Sequence, residues 1–135
     1  MSLDIQQRER EGIAILDLKG RITMGHEAGA LREKVSSLTA AGSTNIIANL
    51  AHVDYIDSTG LGAMVMCSTT VRKAGGNLKL ENLNRRNIEL LVMTKLATVF
   101  DLFTDEQDAV NSFYPDREIK KFDILNFVEE MKKEE

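Results

Sequence analysis

From Ile13 to Phe113, apolar runs of strand length alternate with amphipathic stretches of helix length. Such alternation implies a largely parallel sheet, because each connecting helix carries the chain back across it. A hairpin opens the chain. Residues 5–10 are polar, residues 13–18 are apolar and β-prone, and Glu11-Gly12 between them suits a tight turn. The polar first strand belongs at a sheet edge, and Gly20 closes the second strand. Ala28, Leu31, Val35 and Leu38 recur at spacings of three and four, marking a helix that ends near Gly42. Residues 45–50 form a near-continuous apolar run, as expected for a strand covered on both faces. Residues 58–74 read as a second helix, stopped by Gly75-Gly76, and residues 78–81 alternate like a strand. Ile88, Leu91, Val92 and Leu96 mark a third helix, residues 99–103 a last short strand, and residues 105–113 a fourth helix. The expected fold class is α/β, a mixed β-sheet of about five strands with covering α-helices.

Composition removes several function classes. With 17 Lys and Arg against 21 Asp and Glu, the net charge of −4 argues against a sequence-independent nucleic-acid binder. The single cysteine, Cys67, excludes an internal disulfide framework and fits a reducing, cytoplasmic setting. It lies among Met64, Val65 and Met66 and reads as a buried structural thiol. One cysteine and two histidines, His26 and His52, cannot build the usual zinc site. No metal and no cofactor is expected. No Ser/His/Asp arrangement stands out, and no apolar run approaches the roughly 20 residues of a membrane span.

The most unusual segment is residues 53–63, Val-Asp-Tyr-Ile-Asp-Ser-Thr-Gly-Leu-Gly-Ala, which opens the second helix. Three readings stay open. Asp57, Ser58 and Thr59 are good capping types, so the segment can be a well-capped helix start with packing glycines. Gly60 and Gly62 also allow close approach of a phosphate, although no loop lysine and no third glycine complete a nucleotide motif. Third, Ser58 can be a phosphoacceptor, where a phosphate adds about −1.5 to −2 charges at a surface that a partner must cover.

Residues 57–62, Asp-Ser-Thr-Gly-Leu-Gly, preceded by Val-Asp-Tyr-Ile, closely resemble the signature of bacterial anti-sigma factor antagonists, the STAS domain family. The resemblance runs from about Ile5 to Phe113. It implies a regulatory binding module rather than an enzyme. In that family the serine after the aspartate is phosphorylated by a serine kinase that is also the anti-sigma factor. Carried over by position, Ser58 is the phosphoacceptor, with Thr59 the second choice. Arg21, Thr23, Asp57, Thr59, Gly60, Leu61 and Gly62 fall at the implied partner surface. The implied partners are that kinase and a phosphoserine phosphatase, with no direct contact to nucleic acid or membrane. Many members read Gly-Glu-Leu-Asp after the second strand, whereas this chain reads Gly20-Arg-Ile-Thr23. Arg21 could pair with a phosphate on Ser58, which the acidic version could not. The alternatives are a scaffold or transport-associated STAS protein acting without a sigma factor, and a nucleotide-binding protein.

The resemblance leaves the C-terminus unexplained. The expected division is a STAS domain over residues 1–114 and an amphipathic helical extension over residues 115–135, after the lone proline, Pro115. Ile124, Leu125, Phe127, Val128 and Met131 fall on one broad helical face, opposite Asp123, Asn126, Glu129, Glu130 and Lys133. Such a face is expected to be covered by protein, either its own domain or a second copy in a homodimer.

Overall fold

Glu11 and Gly12 both take left-handed backbone, with φ of 52° and 84°, the geometry that a two-residue hairpin turn requires. The turn joins β1 (Leu3–Arg10) to β2 (Ile13–Ile22) in antiparallel register, Arg10 opposite Ile13. The computed structural model describes residues 3–134. After the hairpin the chain runs through α1 (His26–Ala40), β3 (Asn45–Ile56), α2 (Ser58–Lys73), β4 (Asn77–Glu81) and α3 (Arg85–Met93). It continues as β5 (Leu102–Phe103), α4 (Glu106–Asn111) and α5 (Ile124–Lys133). The five strands lie in the order β1-β2-β3-β4-β5, with every pair after the first parallel. The mixed sheet and the edge position of the polar first strand are as the sequence indicated.

Alternation along the strands sends side chains to two faces. One face, with Leu16, Leu18, Ala48 and Leu80, packs against Leu31, Val35 and Leu38 of α1 and Leu61, Met64, Cys67 and Val71 of α2. Ile13, Ile15, Ile47 and Phe103 turn the other way and meet Ala109 and Val110 of α4. Cys67 is buried, and burial pushes its thiol up to about 11, which leaves it inert as a nucleophile at neutral pH.

Several boundaries differ from the sequence reading, each for a tertiary reason. The second strand does not close at Gly20. It continues to Ile22 through a register shift, because β3 also runs on past Leu50 to Ile56 and pairs with it. Exposed Ala51, His52 and Asp54 hide that continuation in the hydropathy pattern. The third helix ends at Met93 rather than Leu96. Lys95 turns left-handed at φ 62°, and the Leu96 amide returns to the Leu91 carbonyl. The last strand shrinks to two residues, and the fourth helix spans only Glu106–Asn111, capped by Asp105.

The tail docks on its own chain, though less completely than its pattern implied. The Phe122 amide donates to the Leu102 carbonyl, and Phe122 and Ile124 pack against the larger core cluster. Lys121 pairs with Asp101 at 3.2 Å, and Arg85 reaches Glu134. Phe127, Val128 and Met131 are half-buried, but Leu125 is 77% exposed, so the covered face is narrower than expected. No helix of the described residues is long and apolar enough to cross a membrane.

One polar feature interrupts the α4 face. Asp17, Asn49 and Glu81 stand in register across β2, β3 and β4. Asn49 donates to Asp17 at 2.8 Å, and Arg8 bridges Asp17 to Glu106 at the start of α4. Glu81 is 0% exposed, and neither of its oxygens accepts a hydrogen bond. A protonated Glu81 instead donates to the Glu106 carboxylate, a bond that only its neutral form can make. Burial first, and then Glu106, push the Glu81 carboxyl up to about 8, while the bond to Arg8 holds Glu106 low.

Two outcomes follow. In the unfolded chain Glu81 titrates near the ordinary value of about 4.3. Between that pH and about 8, the folded state holds a proton that the unfolded state lacks, so stability falls as pH rises. Glu106 has the opposite sign, and its contribution disappears as pH falls below the ordinary value. Thermal melts should therefore drop by several degrees between about pH 5 and about pH 9 in the parent and stay flat in Glu81→Gln. A parent melt that rises over that range refutes the assignment of a buried neutral Glu81. Second, truncation after Tyr114 should lower the melting temperature by several degrees and leave the oligomeric state in sedimentation unchanged. A dimer that becomes a monomer on truncation would place the tail on a second copy instead.

Candidate functional site

Asp57 is the N-cap of α2, and its carboxylate serves two segments at once. Oδ1 accepts the Gly60 amide at 2.7 Å, closing the first turn of the helix. Oδ2 accepts the Met24 amide at 2.9 Å, which ties down the loop between β2 and α1. The Asp57 amide in turn donates to the Ile22 carbonyl at 3.2 Å. Such a cap stabilises by about 1 kcal/mol. The amide bonds from Gly60 and then Met24 hold the Asp57 carboxyl below the usual carboxylate range, so it is ionised at neutral pH.

Gly60 explains why this loop needs glycine. A Cβ there would overlap the Ile22 carbonyl oxygen and carbon. The space beside Gly60 that the sequence suggested for a phosphate is filled by the end of β2. Gly62 differs, because it is exposed and nothing lies near the position of an added Cβ. Gly60 and Leu61, both expected at the partner surface, are buried; the Leu61 side chain belongs to the core. Ser58, Thr59 and Gly62 are exposed around them. Arg21 is exposed and lies opposite Tyr55 in the β2–β3 register. Thr23 is half-buried, and its carbonyl accepts the Ala28 amide at the start of α1. His26 and His52 are exposed, on α1 and β3 respectively.

Ser58 opens onto a groove of about 290 Å³ between the end of β3 and α3. Tyr55, Ile56 and Asp57 form one wall, and Arg86, Asn87, Glu89, Leu90 and Met93 the other. The Arg86 guanidinium carbon lies over the Tyr55 ring, 4.7 Å from its centre. Asn84 and Asn87 both donate to the Val53 carbonyl, at 3.2 and 3.0 Å, which fixes α3 against β3. Met93 is 75% exposed at one end of the groove, and Met24, on the loop that Asp57 holds, is 73% exposed. Sequence reasoning missed Tyr55, Arg86, Met24 and Met93 as members of this surface. Met93 lies off the apolar stripe of its helix and Met24 lies in a loop, and both are signals of an exposed apolar group. Nothing in the sequence places Arg86 beside Ser58.

A family model for the STAS domain matches residues 4–109. The chain belongs to the STAS domain family. It is 36% identical over 110 residues to the anti-sigma-B factor antagonist of Bacillus subtilis (strain 168), an alignment covering 82% of this chain and 99% of that protein. The crystal structure of an anti-sigma factor antagonist from Mycobacterium paratuberculosis superposes with a TM-score of 0.72 at 19% identity, covering 82% of this chain and 92% of that one. The Bacillus cell fate determinant SpoIIAA, solved in its phosphorylated form, gives a TM-score of 0.63 at 20% identity, covering 82% and 99%. These structures share the STAS fold with this chain.

The two glycines should separate in a stability test. Gly60→Ala should destabilise by at least about 3 kcal/mol, the upper end of the usual range for overpacking. Gly62→Ala should fold like the parent, which makes it the substitution suited to probing partner docking at this loop. Equal stability of the two variants in denaturant titrations would refute the close approach of Gly60 to Ile22.

Proposed function

We propose that this STAS protein is an anti-sigma factor antagonist whose partner binding is switched by phosphorylation of Ser58. The observation that carries the reading is the placement of Ser58. Its hydroxyl is exposed, while the carboxylate beside it is bound to two backbone amides and stays charged. The likeness to the Bacillus subtilis antagonist, over nearly the whole of that protein, supports the same conclusion.

The partner is an anti-sigma factor that is also a serine kinase and brings its own ATP. The Ser58 Oγ attacks the γ-phosphorus, its hydroxyl proton passes to a base of the kinase, and the bond to the β–γ bridging oxygen breaks to release ADP. The chain supplies the acceptor and performs no catalysis itself. A phosphoserine phosphatase reverses the step. Unphosphorylated, the surface around Ser58, Thr59, Gly62, Arg21, Thr23 and Met24 occupies the partner and frees a sigma factor. A phosphate next to the fixed Asp57 charge concentrates negative charge where the partner docks, and binding weakens through repulsion and lost desolvation. Residues 1–114 form the regulatory domain in this reading, and residues 115–135 are an extension that braces its edge.

Incubation with the partner kinase and ATP should place one phosphate on Ser58 by mass spectrometry. Ser58→Ala should keep parent affinity in calorimetry, and Ser58→Asp should bind at least about tenfold more weakly, a loss of about 1.4 kcal/mol. Modification elsewhere with Ser58 untouched overturns the assignment. Equal affinities for the two variants remove charge-controlled release and favour a scaffold STAS protein.

A further inference from the structure

The groove beside Ser58 holds a cation that the switch described above does not use. Its charged lining groups are Asp57, Arg86 and Glu89. Asp57 is engaged by the Gly60 and Met24 amides, and Glu89 is paired with Arg85 at 2.9 Å. Among the described residues, Arg86 pairs with no carboxylate. Its guanidinium carbon lies over the Tyr55 ring, three residues before Ser58. A cation–π contact of this kind uses none of the five N–H donors of the guanidinium in a hydrogen bond, and that donor set fits a phosphate. The Asn84 and Asn87 bonds to the Val53 carbonyl tie the start of α3, on which Arg86 stands, to β3, and Arg86 and Ser58 line the same groove.

We propose that Arg86, presented by Tyr55 across the groove, is the intramolecular receptor for the phosphate of phosphorylated Ser58. This rests on Ser58 being the acceptor. The sequence suggested Arg21 for the same role, but Arg21 does not line the groove onto which Ser58 opens. Once the phosphate is held, α2 and α3 are bridged across the groove, and Tyr55, Met93 and Leu90 lose part of their access to a docked protein. Phosphorylation then acts in two ways, by adding charge at the α2 start and by closing the apolar groove next to it.

The test uses the full chain with phosphoserine inserted at position 58 during translation, so it does not depend on a kinase recognising Ser58. Phosphorus NMR is followed against pH in the parent and in Arg86→Ala, Arg86→Lys and Arg21→Ala. An ion pair favours the dianion, so the second phosphate pKa, ordinarily about 6, should lie lower in the parent than in Arg86→Ala. Arg86→Ala should raise it by roughly half a unit, the size that an exposed pair supports. Arg86→Lys should recover part of the shift, and Arg21→Ala should leave it unchanged. Identical titrations of parent and Arg86→Ala, or a shift produced by Arg21→Ala alone, overturn the proposal. Failure of a kinase to modify Ser58 in the unmodified chain would instead count against the acceptor assignment, and the two failures are separately visible.

Discussion

The start of α2 lies so close to the end of β2 that no side chain fits between them. Gly60 presses on the Ile22 carbonyl, and Asp57 bonds both the Gly60 and Met24 amides. This one contact fixes the direction of α2, the path of the loop into α1 and the exposure of Ser58. Leu61 follows directly and turns into the core, so the same residues that present the hydroxyl also anchor the helix beneath it. A surface built this way is rigid at the acceptor and needs no ordering when a partner arrives.

Across residues 57–62, adjacent positions do unlike work. Asp57 and Gly60 are consumed by the fold, Leu61 is buried, and Ser58, Thr59 and Gly62 remain for recognition. Helical geometry makes this division unavoidable, since successive side chains point about 100° apart. A substitution that abolishes binding at Gly60 therefore reports on folding, whereas one at Gly62 reports on docking.

Much of the architecture was legible in the sequence because it follows from period and punctuation. The Glu11-Gly12 turn, the apolar spacing of Ala28 to Leu38 and the Gly75-Gly76 stop each act locally. The extension of β3 to Ile56 was not legible, because beyond Leu50 it pairs only with β2 and shows alternately exposed residues. The site divided in the same manner. Asp57 and Ser58 announce themselves as a cap and a free hydroxyl, but Arg86 and Tyr55 meet only through the packing of α3 on β3. The inward placement of Leu61 and the partial docking of the tail likewise depend on neighbours remote in the chain. Glu81 closes an alternating strand pattern in the sequence, and its full burial emerges only in the folded chain.

The docked tail also bears on how copies of this chain avoid sticking to one another. A five-stranded open sheet has two free margins, and each offers unpaired amides and carbonyls to any passing strand. At one margin β1 carries Asp4, Arg8, Glu9 and Arg10, charges that disfavour stacking of like strands. The other margin is β5, which is only two residues long and apolar, with Leu102 and Phe103. There the Phe122 amide occupies the Leu102 carbonyl and the segment leading to α5 covers the side where a sixth strand would add. The extension thus occupies a backbone acceptor at the short margin of the sheet that an added strand would need.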